Sequence, residues 1–388
     1  MNNFPPLLDM IRDLIGTPSI SSVEPTLDQG NQAVIELLAN WLDHSGFRVE
    51  IMPLPGDPRK ANLIATLGSG PAGLVLSGHT DTVPYDEGKW AYDPFTLTEA
   101  DSRLYGLGTS DMKSFLALAL EAAREWHAGQ LQQPLILLAT ADEETSMAGA
   151  RALLDHAQPR ARYAVIGEPT GLRPVRMHKG ILMEAIHLQG HSGHSSDPSL
   201  GNSALEAMHT VMDTLLSWRN ELQGNFRNPA FAVPVPTLNL GHIHGGDNPN
   251  RICPECELHI DLRPLPGMDT RQLRGELHQR ILESLQDTGI ETRFESLSAG
   301  VPGMETPADA TIVKLAEKLT GHTAEAAAFA TEAPYLSQLD METVVMGPGD
   351  IAQAHQPDEY LALERLTPTV DILKQLVHTV CVRAGALI

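Results

Sequence analysis

Three adjacent carboxylates, Asp142, Glu143 and Glu144, follow directly on the apolar run "PLILLATA". Like charges crowded at the end of a buried strand repel one another, and burying them uncompensated is costly. A cation among them removes the difficulty, so the cluster points to metal chemistry. Similar residues recur at the ends of other strand-like runs. His79 and Asp81 end "GLVLSGHTD", Glu168 follows "YAVIG", Asp111 follows "YGLGTS" at the start of a helical pattern, and His355 sits in the loop "GDIAQAHQPDE". Five separate segments thus offer imidazole nitrogen or carboxylate oxygen, the donors a zinc-like ion takes. Two such ions a few ångströms apart need a bridging carboxylate and further ligands on each side. His79 and Asp81 are two apart, so in an extended segment they face the same way, and the carboxylate can accept a hydrogen bond from the imidazole. Taken singly, each residue also has a plain reading as a cap or a solvated loop residue, and Asp111 could simply cap its helix. Asp142 is left with a structural or solvated position and no chemical role.

The elements that must carry these residues are legible in the pattern. Short apolar runs ("NLIAT", "GLVLSGH", "PLILLATA", "YAVIGEP") alternate with helical patterns such as "DMKSFLALALEAAREW" and "SMAGARALLDHA". "TLDQGNQAVIELLANWLDHSGF" reads as an amphipathic helix closed by Gly46. Alternating strands and helices predict an α/β layer fold with a mostly parallel central sheet, in which ligand crevices open at the carboxyl ends of the strands. Near residue 180 the character changes. Strand-like "ILMEAIHLQG", "TLNLGHIHGG" and "CELHIDLRPLP" interleave with two helical patterns, which predicts an inserted α+β domain over 180–292. The main domain is then 1–179 and 293–388, with "ETVVMGPG" as a strand and a closing helix after Glu359.

Bulk properties narrow the function classes. The 388 residues suit two domains, and a net charge of −22 with no Lys/Arg cluster argues against nucleic acid and against an anionic membrane surface. No run reaches the length of a membrane span, and the N-terminus lacks a basic region and a cleavage site, so a cytoplasmic location is expected. The three cysteines, Cys253, Cys256 and Cys381, fit a reducing compartment. The lone Cys253-Pro-Glu-Cys256 lacks both a second pair for zinc and a helix start for redox work, so a structural role is expected. "GLGTSD" lacks the third glycine of a dinucleotide loop, and neither G-x-S-x-G nor H-E-x-x-H occurs.

Assembled, the segments "SGHTDTVPYDEGKW", "YGLGTSDMK", "ATADEETSMAGARALL", "IGEPT", "GHSGHSSDP", "GGDNPNRIC", "TEAP" and "GPGDIAQAHQPDEY" resemble the M20 family of dinuclear metallo-aminoacylases and peptidases, in order and across both proposed domains. The resemblance implies a metallopeptidase-type catalytic domain with an inserted dimerisation and lid domain, and two divalent metal ions, zinc by default with cobalt as the alternative. It implies that His79 and Glu168 hold one ion and Glu144 and His355 the other, with Asp111 bridging. Glu143 becomes the general acid/base, Asp81 orients His79, and His194 serves the substrate site across a homodimer interface. Asn250 and Arg251 meet the substrate carboxylate, where an Arg fork fits bidentately; a structural salt bridge is the plain alternative for Arg251. The implied reaction removes the acetyl group from N2-acetyl-L-ornithine, giving L-ornithine and acetate in arginine biosynthesis. Other activities of the family, such as succinyl-diaminopimelate desuccinylase or di- and tripeptidase, share the same metal residues. A non-catalytic binding protein on this fold would be expected to have lost a ligand or the base.

Overall fold

The computed structural model describes residues 4–382. The chain forms two compact units. The first runs up to Arg176 and resumes over Thr306–Glu325 and from Thr331 onward; the second is Met177–Glu305 with Ala326–Ala330. The main elements of the first unit's opening part are α1 (Leu7–Ile15), α2 (Gln32–His44), β1 (Arg48–Leu54), β2 (Asp57–Leu67), β3 (Leu74–His79), α3 (Lys113–Ala123), β4 (Leu135–Thr140), α4 (Ala148–His156) and β5 (Tyr163–Ile166). The second unit supplies β6 (Leu182–Gln189), α5 (Ala204–Asn225), β7 (Thr237–Gly245), β8 (Glu255–Arg263), α6 (Thr270–Ser284) and β9 (Glu291–Ser296). The first unit closes with α7 (Thr311–Thr320), α8 (Ala333–Gln338), β10 (Glu342–Val345) and α9 (Leu366–Val377).

The sheet of the first unit runs β1-β2-β4-β3-β5-β10. The four strands β4, β3, β5 and β10 are parallel, while β1 and β2 add an antiparallel pair at one edge. Every residue of β3, β4 and β5 is buried, which is why these strands read as continuous apolar runs rather than alternating ones. Helix α3 packs on β3 and is covered in turn by α1 and α9. All but one of its residues are buried, so its apolar surface runs nearly all round. Gly167 marks a close approach: a Cβ there would lie 2.0 Å from the ring of Phe115 on α3. Only glycine lets the end of β5 sit this tightly against the helix, and Glu168 comes next.

The second unit is an antiparallel sheet in the order β7-β8-β6-β9. Ile186, Leu188, Leu258, Ile260 and Leu262 point to one face, where Val211, Leu215 and Trp218 of α5 and Leu277 and Ile281 of α6 complete the core. Alternate residues of β8 point the other way and are polar, giving a two-faced sheet. Two expected boundaries shift. The edge expected at 292 falls inside β9, which pairs with β6 and so stays with the second unit. After Glu359 the chain first forms a short strand, Tyr360–Ala362, and the closing helix starts only at Leu366.

Candidate active site

Strands β3, β4 and β5 run parallel, so their carboxyl ends lie at one edge and deliver His79, the 142–144 turn and Glu168 to the same place. The Nε2 of His79 lies 3.1 Å from Asp111 Oδ1. His355 Nε2 lies 3.1 Å from Glu144 Oε2 and 3.7 Å from Asp111 Oδ2. Donor atoms of His79, Asp111 and Glu144 fall within 4.8 Å of one another, and so do those of His79, Glu143 and Glu168. Asp111 does not cap α3; its carboxylate stands between the two histidines. The expected ligand residues and Glu143 are therefore neighbours within the first unit.

The electrostatics describe a site crowded with negative charge. Burial pushes the Glu143 carboxyl well above its ordinary range, and repulsion from Glu168 adds to it. Burial does the same to Glu168, with Asp111 and Glu332 adding repulsion and His79 opposing. Glu144 is raised by burial and by Asp111, against the hydrogen bond from His355. Burial would push the His79 imidazolium down, but Asp111, Glu168 and Glu143 outweigh it and hold the ring well above its usual value. His355 rises to about 9 through its contact with Glu144. Glu168 Oε1 is buried with no hydrogen-bond partner. Two imidazoles, crowded carboxylates and an orphaned oxygen make a donor set that fits divalent cations of the zinc class.

The support around this set differs from expectation at Asp81. Its carboxylate was expected to orient His79. The ring's Nδ1 instead meets the Asp81 carbonyl oxygen at 2.9 Å, which places the proton on Nδ1 and turns Nε2 toward Asp111. The Asp81 carboxylate, 3.8 Å from Nδ1, accepts the backbone N–H groups of Glu143 (3.2 Å) and Glu144 (3.1 Å). It braces the turn that presents both glutamates, because the turn's amides lie closer to it than the ring does.

Asp142, left without a role above, is the structural hub of that turn. It sits at φ 61°, a left-handed conformation that is strained for a non-glycine residue. Its carboxylate accepts from Ser21 Oγ (2.6 Å), Thr145 Oγ1 (2.9 Å), Ser146 Oγ and the buried ammonium of Lys60. Burial would raise its pKa, but Lys60 and the hydroxyls hold it below the ordinary value.

Three further buried groups escaped the sequence reading. Glu359 accepts the amides of Gly108 (3.0 Å), Ser110 (2.6 Å) and Asp111 (2.9 Å), fixing the loop that carries Asp111; burial nonetheless pushes it up to about 8. Glu332 accepts from Ser77 Oγ on β3 and Thr140 Oγ1 on β4. Lys113 donates to the Thr17 carbonyl (2.7 Å) and Ser19 Oγ (3.2 Å), and burial pushes it down to about 7 against the pull of Asp81 and Glu359. A signal existed for each: Glu359 and Lys113 lie in "AHQPDEY" and "SDMK", close to His355 and Asp111, and Glu332 lies in "TEAP", one of the segments that carry the resemblance.

The remaining site residues belong to the second unit. His194 and Arg251 are paired by a backbone bridge, and Ser195 N–H donates to the Asn250 carbonyl at 3.0 Å. The Ser196 N–H donates to His194 Nδ1 at 3.2 Å, so the proton of a neutral ring sits on Nε2, facing outward as a donor. Arg251 pairs with Asp247 at 2.9 Å, both about half exposed (48% and 55%), an ion pair that holds the guanidinium only weakly. Cys253 and Cys256 are buried free thiols, Cys256 within the core under β8.

No helix among the described residues is long and apolar enough to cross a membrane. The chain is 51% identical over 379 residues to an acetylornithine deacetylase of Edwardsiella ictaluri (strain 93-146), covering 98% of this chain and 99% of that one. Its structure resembles an M20 family metallo-carboxypeptidase, Sso-CP2 of Sulfolobus solfataricus, with a TM-score of 0.75 at 17% identity over 96% and 99% of the two chains. It also resembles the Bacillus subtilis YXEP protein, a dinuclear metal binding peptidase, with a TM-score of 0.64 at 17% identity over 96% and 97%. The model of peptidase family M20/M25/M40 matches residues 75–379, from the strand that ends in His79 to beyond His355. Both halves of the candidate metal site lie inside that match, and the chain belongs to this family of metal-dependent hydrolases.

Proposed function

We infer that the protein is a metal-dependent amidohydrolase that removes the acetyl group from N2-acetyl-L-ornithine, giving L-ornithine and acetate. The observation that carries this reading is the identity of about half over nearly the whole length of both chains with a protein of that name. The convergence of His79, Asp111, Glu144, Glu168 and His355 supports it. His79 and Glu168 are assigned to one divalent ion, Glu144 and His355 to a second, and Asp111 to both. Zinc is the expected ion for this donor set, with cobalt as a substitute. Bound there, such ions supply Lewis acidity toward the acyl carbonyl and toward water.

The protein's own groups complete the reaction. Glu143, kept free of ligand duty, accepts a proton from water as its oxygen adds to the acyl carbon, and passes that proton to the amine nitrogen as the C–N bond breaks. His194 Nε2–H donates to the oxygen on which negative charge develops. Asn250 and Arg251 hold the substrate carboxylate, for which Arg251 exchanges its exposed partner Asp247. Asp81 positions the Glu143–Glu144 turn through its two amide contacts. A homodimer through the second unit, with that unit acting as a lid, and a cytoplasmic location belong to the same reading.

Zinc-loaded protein offered N2-acetyl-L-ornithine, N-succinyl-diaminopimelate and a tripeptide side by side is expected to turn over the first with the highest kcat/KM. A preference for the second or third would replace the substrate and leave the metal site standing. Glu144→Ala is expected to lose about one metal equivalent on dialysis, counted by mass spectrometry. Two ions still tightly bound would remove Glu144 from the ligand set.

A further inference from the structure

The polar face of the second unit's sheet carries a cluster that the proposed reaction does not use. β7 and β8 are antiparallel, with His242 directly opposite His259 and their rings 4.8 Å apart. Glu257 is two residues before His259 on β8, so its side chain points to the same face. Its Oε1 is in hydrogen-bond contact with His259 Nε2. Donor atoms of His242, Glu257 and His259 all lie within 4.8 Å of one another. A third imidazole lies close to the carboxylate. His187 on β6 places Nδ1 3.2 Å from Glu257 Oε2 and its other nitrogen 3.3 Å from Glu295, which Arg293 holds at 2.7 Å. Both His187 contacts are of charge proximity, and His187 Nε2 makes no hydrogen bond. His242 is exposed and Glu257 and His259 are half-buried. Beside them opens a groove of about 440 Å³ lined by His187, His244, Glu255, Glu257 and Arg293. An ion can therefore enter from water and keep an open coordination position.

We propose that His242, Glu257 and His259 form a further binding site for a divalent transition metal ion, of the zinc, nickel or copper class, on the helix-free face of the second unit. The two imidazoles and one carboxylate exclude magnesium and calcium, which prefer all-oxygen sets. Bound there, the ion would cross-link the edge strand β7 to β8 through side chains, adding to the backbone ladder. It is separate from the ligand set of the first unit and shares no residue with it.

The test counts metal. Wild-type protein and the variants H242A and H242A/H259A are dialysed against micromolar zinc, bound ion is measured by mass spectrometry, and kcat is recorded in parallel. The double variant is expected to bind one equivalent fewer per chain while keeping wild-type kcat. H242A, whose side chain is exposed and not needed for packing, keeps the test valid should the double variant fail to fold; it is expected to weaken the site at least tenfold. His187→Gln, which removes the imidazole beside Glu257 but none of the three proposed ligands, is expected to weaken binding less than H242A does. Equal stoichiometry and affinity in wild type and H242A, or zinc held at this face only at millimolar concentration, would overturn the site.

Discussion

Glu143→Gln is expected to lower kcat by about a thousandfold, within the roughly 10²–10⁴ that a positioned acid/base contributes, while leaving metal content unchanged. Glutamine has the same shape and fills the same space, but it cannot take the proton from water or return one to the departing amine. Glu144, Glu168 and Asp111 remain to hold the ions, so bound metal counted by mass spectrometry should match wild type. The same substitution makes a second, opposite prediction. Glu143 is half-buried, and its carboxyl is pushed up by desolvation and by its neighbour Glu168. Removing one acid from this cluster relieves repulsion, so the metal-free variant should unfold no earlier than the metal-free wild type. Normal kcat with metal confirmed would take the proton-carrying role away from Glu143. A metal-free variant markedly less stable than wild type would contradict the electrostatic account.

Asp142→Ala is expected to act in the other way, on stability first. Asp142 and Lys60 side chains are each about 10% exposed, and removing one partner of a buried ion pair costs about 3–5 kcal/mol. The lower end, about 3 kcal/mol, is expected because Lys60 keeps Asp28 at 2.8 Å. A shift of the urea midpoint at unchanged slope measures it. The pH dependence follows from the direction of the shift. The folded carboxyl lies below its unfolded value, so its contribution is fully present above the unfolded pKa, about 3.9. It is lost as pH falls through the depressed folded value. Wild type and variant should therefore converge in stability at strongly acid pH. A constant difference across that range would mean that the carboxylate's charge is not what matters there.

Much of the fold was legible because it depends on local pattern. β3, β4 and β5 are buried on both faces and read as short unbroken apolar runs, and candidate ligands stand where those runs stop. The candidate ligands His79, Glu144 and Glu168 could be picked out for the same reason: strand ends in a parallel sheet share an edge. What could not be read is what depends on partners far away in the chain. Glu359 binds the amide of Gly108 across 251 residues, and Glu332 binds Ser77 across 255, with no local trace of either pairing. The contact of the Asp81 carboxylate with the 143–144 amides has no sequence trace either, because spacing places it beside His79 but is silent on which donor lies closer. β9 was cut by the expected boundary because Phe294 is the only large apolar residue of this largely exposed edge strand. Its membership is decided by pairing with β6 rather than by its own composition.

The short segment from His355 to Glu359 supplies one of the proposed ligand histidines and the anchor for the Asp111 loop. Its contacts reach back 211 residues to Glu144 and 248 to Asp111. During synthesis, the acidic cluster is made early and its completing segment late, after the whole second unit has left the ribosome. The nascent protein must carry its crowded carboxylates unfinished through most of its own making. Contacts of such long sequence separation are also slow to form. The centre is thus completed only by a late-made segment, and a chain that stops short of residue 355 lacks both His355 and the Glu359 anchor of the Asp111 loop.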